Sequence, residues 1–326
     1  MNRRDLLRFA TAALAVPLAA RAQEKYPDRP IRLVVPFAPG GETDIIGRLW
    51  AQKVSPQLGG SFVVENKPGA GGAVATAEVA RARPDGYTLL SGTTTTHVIN
   101  PAAMANPPYD PVRDFVPIGI VSTTPTSILV HPAVPAGNVQ ELVALVRANP
   151  GKYAYGSAGA GTITNMTGEL FKLAAGGLDL THVPYKGGGP AVQDLIAGHI
   201  PVSTLILSSA VLAHHRAGRI RILAVNGETR LKAAPEVPTA IESGMPALKV
   251  VVFNAIFAPA GTPPPVVDAL HQATAKAKRE PSFPQDLERA GAEMAAESSP
   301  DQAARFIRDE IARWTPIVKA SGFRME

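Results

Sequence analysis

The sequence predicts an α/β protein built from two doubly wound lobes. Apolar, β-branched segments bounded by turn residues recur along the 326-residue chain, and segments with helical periodicity lie between them. Continuous apolar runs of this kind are typical of parallel strands covered by helices on both faces. The alternation therefore predicts βαβ units in doubly wound sheets, and a chain of this length favours two lobes over one.

Strands are predicted where runs of apolar and β-branched residues are bounded by turn residues. The predicted strands are Ile31–Val35, Phe62–Val64, Tyr87–Leu90, Ile118–Val121, Ile128–Val130, His182–Pro184, Val202–Leu207, Ile220–Val225 and Val250–Phe257.

Two helices carry clear signals at their ends. One has an apolar stripe at positions i, i+3, i+4 and i+7, and the segment Asn149–Gly151 (Asn-Pro-Gly) is a strong helix stop. The last helix is announced by Ser299–Gln302, a capping box with Pro at the first helical position. Pro316 is predicted to kink this helix or end it early. The stripe of the first helix consists of Val139, Leu142, Val143 and Val146.

No low-complexity linker separates the two predicted lobes. This favours lobes joined by ordered strands, with the hinge near Val121–Val130 and again near Lys249–Phe257. We therefore expect one lobe to comprise residues 23–124 plus 254–326 and the other to comprise residues 125–253.

The N-terminus has the features of a secretory signal peptide. Arg3 and Arg4 precede a short apolar run, Phe9–Ala20, and the small residues of Ala20–Ala22 form a cleavage site. We expect residues 1–22 to be removed and the mature protein to be periplasmic. The paired arginines resemble the twin-arginine export signal, although Asn and Leu depart from its pattern, so the export route stays open.

The composition limits the function classes. Residues 1–22 hold four Arg and one Asp, so cleavage lowers the formal charge from +5 to +2. The sequence has no Lys/Arg cluster of the kind that nucleic acids need. Cysteine is absent, which excludes disulfides, thiolate metal sites and Cys nucleophiles. The seven histidines show no metal-binding spacing, and we expect neither a metal nor a cofactor.

Four glycine-rich turns each lead directly into a predicted helix. A helix N-terminus without a side chain in the way can bind a carboxylate or phosphate. Ligands of open α/β sheets bind beyond the carboxyl ends of the strands, where these turns lie. The alternative for the first turn is a tight βα connection that Thr43 or Asp44 caps. The four segments are Ile31–Arg48, Lys67–Gly72, Tyr155–Thr162 and Tyr185–Pro190.

A catalytic function is the alternative to binding. Neither a P-loop nor a dinucleotide fingerprint is present, and the sequence around Ser157 lacks the first glycine of a G-x-S-x-G elbow. The alternative is an exported hydrolase or isomerase that uses His97 with Ser157 or Asp44. It needs a nucleophile and a base within about 3 Å of each other.

A series of motifs in a fixed order resembles one known family. The motifs are P-F-A-P-G-G-x-T-D-x-x-x-R, E-N-K-P-G-A-G-G, P-D-G-Y-T-L-L, G-S-A-G-x-G-T, H-V-P-Y-K-G-G-G-P-A, P-E-V-P-T and F-A-P-A-G-T-P, and they extend over nearly the whole chain after Tyr26. This order resembles the Bug-type extracytoplasmic solute receptors, the binding components of tripartite tricarboxylate transporters.

The resemblance implies a type II periplasmic-binding-protein-like fold, a Venus flytrap whose two lobes are joined by two crossing strands. It also implies a receptor without catalytic activity, a small organic acid as ligand, and a membrane permease or sensor as partner, with a monomeric receptor and no nucleic acid. The ligand-binding positions that it implies in the first lobe are Phe37, Ala38, Gly40, Gly41, Asp44, Thr95 and His97. Those in the second lobe are Ser157, Gly161, Thr162, Tyr185, Lys186, Gly187 and Ser203.

One departure from the family pattern and one charged residue near the first turn bear on the ligand. Members often carry an Asp in the strand Val202–Leu207, which can meet a ligand amino group, whereas Ser203 and Thr204 stand here. An amino-acid ligand is therefore disfavoured. Glu42 next to an anion site would repel the ligand by several kcal/mol across about 4 Å. Either Glu42 faces solvent or the ligand is not the usual dianion.

Overall fold

The computed structural model describes residues 26–320. Ten strands within this range form a mixed sheet with the order β2-β1-β3-β9-β4-β7-β5-β6, and β8 and β10 also pair with β4. The strands are β1 (Ile31–Val35), β2 (Phe62–Asn66), β3 (Thr88–Thr93), β4 (Phe115–Val130), β5 (Tyr153–Ser157), β6 (Leu180–Pro184), β7 (Val202–Ile206), β8 (Arg221–Val225), β9 (Val251–Pro259) and β10 (Glu293–Met294).

Helices cover both faces of the sheet, as the sequence predicted. They are α1 (Glu42–Leu58), α2 (Ala73–Ala80), α3 (Asn100–Ala103), α4 (Val139–Arg147), α5 (Ile163–Ala174), α6 (Gly188–Ile196), α7 (Ser209–Arg216), α8 (Pro264–Arg279), α9 (Ser282–Arg289) and α10 (Pro300–Ala320). A π-helical turn, Thr95–Ile99, follows β3, and short 3₁₀ turns lie at Ala70–Gly72 and Pro246–Leu248.

The strand β4 joins the two lobes. The sequence predicted two strands here, but the structure has one strand of 16 residues. Its first part pairs with β9, up to the partners Pro125 and Val251, and its second part pairs with β7 and β8 from Thr126 onward. The polar residues of Ser122–Thr124 interrupt the apolar run, which is why sequence reasoning divided the strand. The first lobe holds β1, β2, β3 and β9, and the second holds β5 to β8.

Each lobe has its own apolar cores. In the first lobe the indole of Trp50 is fully buried between α1 and α8, where its Nε1 donates to Thr274 Oγ1 at 3.2 Å. In the second lobe the predicted stripe of α4 is confirmed, since all four of its apolar residues are buried. Burial of such side chains is the main stabilising contribution in both lobes.

The capping box predicted for the start of the last helix is confirmed, and of the two outcomes predicted for Pro316, a kink or an early end, the early end is wrong. Ser299 N donates to Gln302 Oε1 at 2.8 Å and Gln302 N donates to Ser299 Oγ at 3.2 Å, which is the reciprocal capping box. The helix does not end at Pro316 but continues to Ala320. Trp314 and Val318 are buried on either side of the proline, and their packing outweighs the lost hydrogen bond.

Between residues 26 and 320, none of the helices combines the length and the apolar character that a bilayer crossing requires. The predicted signal peptide, residues 1–22, lies outside the described residues.

Candidate ligand-binding site

The first side of the site is the turn between β1 and α1. Helix α1 begins at Glu42, and its N-cap residue Gly41 has extended backbone angles (φ −80°, ψ 167°). No side chain caps this helix, so neither Thr43 nor Asp44 does so. The uncapped first turn carries the positive end of the helix dipole and presents backbone N–H groups, which suits it for an anion.

Asp44 holds this turn in place. Its carboxylate accepts hydrogen bonds from Gly40 N at 3.0 Å, from Arg48 Nε at 2.9 Å and from Asn66 Nδ2 at 2.9 Å. Asn66 lies at the end of the neighbouring strand β2 and also donates to Phe37 O at 3.0 Å. The carboxylate of Asp44 therefore positions the turn through bonds within its own lobe.

The facing side of the site is the start of α6. Its N-cap residue, Gly187, has a φ of 144° that favours glycine, and no side chain caps this helix either. Ala38 N donates to Lys186 O at 3.1 Å across the cleft. A Cβ placed on Gly41 would lie 3.4 Å from Gly188 N. The uncapped N-termini of α1 and α6 therefore face each other, and two positive helix ends so close together favour an anion between them.

Helix α5 also starts at the cleft, but it is capped. Thr162 Oγ1 accepts from Asn165 N at 3.2 Å, and Gly161 N donates to Asn165 Oδ1 at 3.1 Å. Ile163 N donates to Thr95 Oγ1 of the other lobe at 3.1 Å. The amides of Gly161, Ile163 and Asn165 thus have protein partners, whereas no side chain caps α1 or α6.

Ser157 and Ser203 are buried behind the cleft. Ser157 Oγ lies 2.7 Å from His182 Nε2 and accepts from Gly159 N at 3.1 Å. Ser203 Oγ donates to Gly156 O at 2.8 Å. These bonds tie the ends of β5, β6 and β7 together.

His97 supports the site from within the first lobe. Its ring is fully buried and stacks on Phe257 with 3.6 Å between the ring centres. Nδ1 lies 3.0 Å from Thr96 Oγ1, and burial lowers the pKa of His97 to about 3, so the ring is neutral. Its polar contacts among the described residues include neither Ser157 nor Asp44. The nucleophile–base pair that the hydrolase alternative requires is not formed with His97.

The two predicted residues before Gly187 lie in the turn that leads into α6. Tyr185 donates its hydroxyl to Asp194 Oδ2 of α6 at 2.7 Å. Burial, followed by this bond to Asp194, raises the pKa of Tyr185 to about 12, so the phenol stays protonated. The side chain of Lys186 is exposed, and the backbone of this residue makes the contact to Ala38.

The lobes close over a small cavity of about 30 Å³. About 10–15 Å³ of such space holds one water molecule, so this cavity has room for about two waters. A larger ligand therefore requires the lobes to move apart. The cavity contacts four of the predicted residues, Phe37, Gly41, Thr95 and Thr162, together with Glu42, Thr43, Ala158, Thr164, Gly188, Leu205 and Ile206.

Comparison with known proteins decides the family. Residues 46–323 match the model of the tripartite tricarboxylate transporter family receptor. The chain belongs to this receptor family. Its relatives include Protein BugT of Bordetella pertussis, which is 35% identical over 319 residues, or 98% of this chain and 96% of that protein.

Solved structures of receptors also match this chain closely. MatC from Rhodopseudomonas palustris with bound malate has a TM-score of 0.85 and 31% identity, with 90% of this chain and all of that chain covered. An R. palustris protein with adipate has a TM-score of 0.87 and 34% identity, with 92% and 99% covered. The fold is therefore that of a periplasmic solute-binding protein, and the family consists of solute-binding receptors rather than enzymes.

The sequence left open whether the side chain of Glu42 faces solvent or the ligand. Its carboxyl group is buried in the cleft and does not face solvent. Glu42 Oε1 accepts from Thr124 Oγ1 at 2.7 Å and from Asn254 Nδ2 at 2.6 Å. Burial raises the pKa of Glu42 to about 7, and its hydrogen bonds, the largest of them from Thr124, oppose this effect.

Sequence reasoning missed Thr124 and Asn254. They lie on β4, the strand that joins the lobes, and on its neighbour β9. The signal for them is a polar residue inside a run that is otherwise apolar and buried, because a buried polar side chain needs a hydrogen-bond partner.

Proposed function

We propose that this receptor captures a small carboxylate between its lobes and delivers it to a membrane permease or sensor of the tripartite type. The observation that carries the proposal is the meeting of two uncapped helix N-termini, α1 at Gly41 and α6 at Gly187, one from each lobe. Only the closed arrangement brings both positive helix ends to one anion, so a carboxylate stabilises closure.

The relatives agree with this chemistry. Malate and adipate, the ligands of the two solved receptors, are both small carboxylates. The predicted signal peptide, cleaved after Ala22, would place the mature receptor in the periplasm. We further propose lobes of residues 23–124 plus 254–326 and 125–253, because the partner of β4 changes from β9 to β7 between Pro125 and Thr126.

Thermal unfolding of the mature protein with single carboxylic acids tests the proposal. A ligand at 100 times its dissociation constant stabilises the native state by about 2.7 kcal/mol, so a binding acid raises the melting temperature measurably. If no carboxylate in a broad series of mono-, di- and tricarboxylates shifts the melting temperature, the proposed function is wrong.

A graded pair of variants at Gly41 tests the position of the site. A Cβ at this residue lies at ordinary contact distance, 3.4 Å from Gly188 N, and the φ of −80° suits any residue. Gly41→Ala should therefore close and bind nearly normally. The additional methyl groups of Gly41→Val should hold α1 and α6 apart and abolish binding, without a change in the circular dichroism spectrum. Equal affinity of the two variants would place the ligand elsewhere.

A further inference from the structure

The inference concerns the acceptor side of the cleft and deepens the proposed function, on which it rests. Glu42 is the first residue of α1, 5% exposed, and it contacts the cavity beside the amides that would hold the ligand carboxylate. Within residues 26–320, Glu42 forms no ion pair with Lys, Arg or His. The cleft thus contains a carboxyl group without a cationic partner.

The hydrogen bonds of Glu42 are distributed unevenly between its two oxygens. Oε1 accepts both strong bonds, from Thr124 and Asn254, whereas Oε2 has one long contact of 3.4 Å with Thr43 Oγ1. A carboxylate oxygen has two acceptor positions. Oε2 therefore retains the capacity to accept a further hydrogen bond.

Asn254 supplies a second, independent observation. Its side chain is 1% exposed, its amide nitrogen is used by Glu42, and its Oδ1 has no hydrogen-bond partner among the described residues. A buried acceptor without a donor is costly, and nearly all such groups in native proteins find a partner. Glu42 Oε2 and Asn254 Oδ1 are thus both acceptors that could receive a further hydrogen bond from a donor.

The cleft therefore has two chemically opposite sides. Backbone N–H groups at Gly41 and Gly188 offer donors for one carboxylate, and Glu42 offers an acceptor at the cavity, with Asn254 hydrogen-bonded to it. A dianion placed between them would bring its second carboxylate against that of Glu42, and like charges in a buried site disfavour each other. A ligand whose second polar group is a donor satisfies both sides at once.

We propose that Glu42 is a specificity-determining residue that selects carboxylates whose second polar group donates a hydrogen bond, a hydroxyl or ammonium group, over dicarboxylates of the same length. Ser203 and Thr204 do not compete for this role, because their hydroxyls donate to Gly156 O and Thr164 O.

Matched ligands test the proposal by isothermal titration calorimetry at about pH 8. Succinate, 4-hydroxybutanoate and 4-aminobutanoate share one carboxylate and a four-carbon chain, and adipate, 6-hydroxyhexanoate and 6-aminohexanoate form a longer series. We expect the wild-type protein to bind a donor-bearing member at least tenfold more tightly than the matched dicarboxylate. Glu42→Gln should reduce this ratio at least tenfold, since the neutral amide no longer repels the dianion and can donate to it.

Glu288→Gln is the matched control. Glu288 is exposed on α9, so this substitution removes the same charge outside the cleft. It should leave the ratio unchanged. The wild-type ratio is measured by itself, so the proposal can be judged even if Glu42→Gln fails to fold. A wild-type preference for dicarboxylates, or a ratio that Glu42→Gln leaves unchanged, overturns the inference while carboxylate binding stands. If the wild-type protein binds neither series, the proposed function falls and the inference falls with it.

Discussion

Because Glu42 is buried, its ionisation should make the free energy of unfolding depend on pH. Its pKa rises from 4.5 in the unfolded chain to about 7 in the folded protein. Since one pKa unit corresponds to about 1.4 kcal/mol, keeping this group ionised in the folded state costs about 3 kcal/mol. Glu42→Gln removes the ionisation while keeping the size of the side chain.

The sign follows from proton linkage. The folded protein holds the proton of Glu42 more tightly than the unfolded chain does, so the contribution of Glu42 to stability is fully present below about pH 4.5. It is lost as the pH rises through about 7, because the unfolded chain ionises first. The stability of Glu42→Gln relative to wild type should therefore improve by about 3 kcal/mol between pH 4.5 and 8.

Urea unfolding at several pH values measures this difference, with Glu288→Gln as the control for the loss of one exposed carboxylate. The control should follow the wild-type protein closely, since surface substitutions usually change stability by less than about 0.5 kcal/mol. If the difference between wild type and Glu42→Gln changes by less than about 1 kcal/mol over this range, Glu42 has its ordinary pKa near 4.5, and the argument from burial is refuted.

Three further predictions concern other parts of the receptor. Burial holds the pKa of His97 at about 3, so its ring signals in NMR spectra should not shift between pH 5 and 8; a midpoint near 6.5 would contradict a buried neutral ring. In Gly187→Ala the new Cβ would lie 2.9 Å from Ala38 N at a φ of 144°, and calorimetry should show binding at least tenfold weaker. Gly218→Ala, which also has positive φ but open space around it, should bind normally, and equal losses in both would indicate backbone strain alone. Ser299→Ala removes one half of the capping box and should lower the free energy of unfolding in urea by about 0.5–2 kcal/mol; no loss would mean that the start of the last helix does not contribute to stability.

Most of the strands were predictable because they are short apolar runs that end at a turn. Ile31–Val35 was predicted with its observed bounds, and the alternation of strands with helices gave the correct fold class. The strand Tyr153–Ser157 was missed because Gly156 and Ser157 make it resemble a turn. The early end predicted at Pro316 was wrong because local propensity takes no account of the packing of Trp314 and Val318 against the core.

Contacts between distant segments were beyond sequence reasoning. Ser157 meets His182 because β5 and β6 pair in the register that places Tyr155 opposite His182. Ser157, two residues after Tyr155, then lies on the same face of the sheet as His182 and within its reach. A sequence does not specify such a register. The direction of Glu42 depends on Thr124 and Asn254, which are 82 and 212 residues away along the chain.

The pairing of β4 with β9 has a mechanical consequence. The two strands are hydrogen-bonded to each other up to the point of crossing, where Pro125 faces Val251 and Thr126 N donates to Val250 O at 3.0 Å. Two strands coupled in this way deform as a single ribbon, which twists more easily than it stretches or shears. A ribbon of this kind restricts the movement of one lobe against the other to rotation about one axis, so a single angle describes how far the cleft opens.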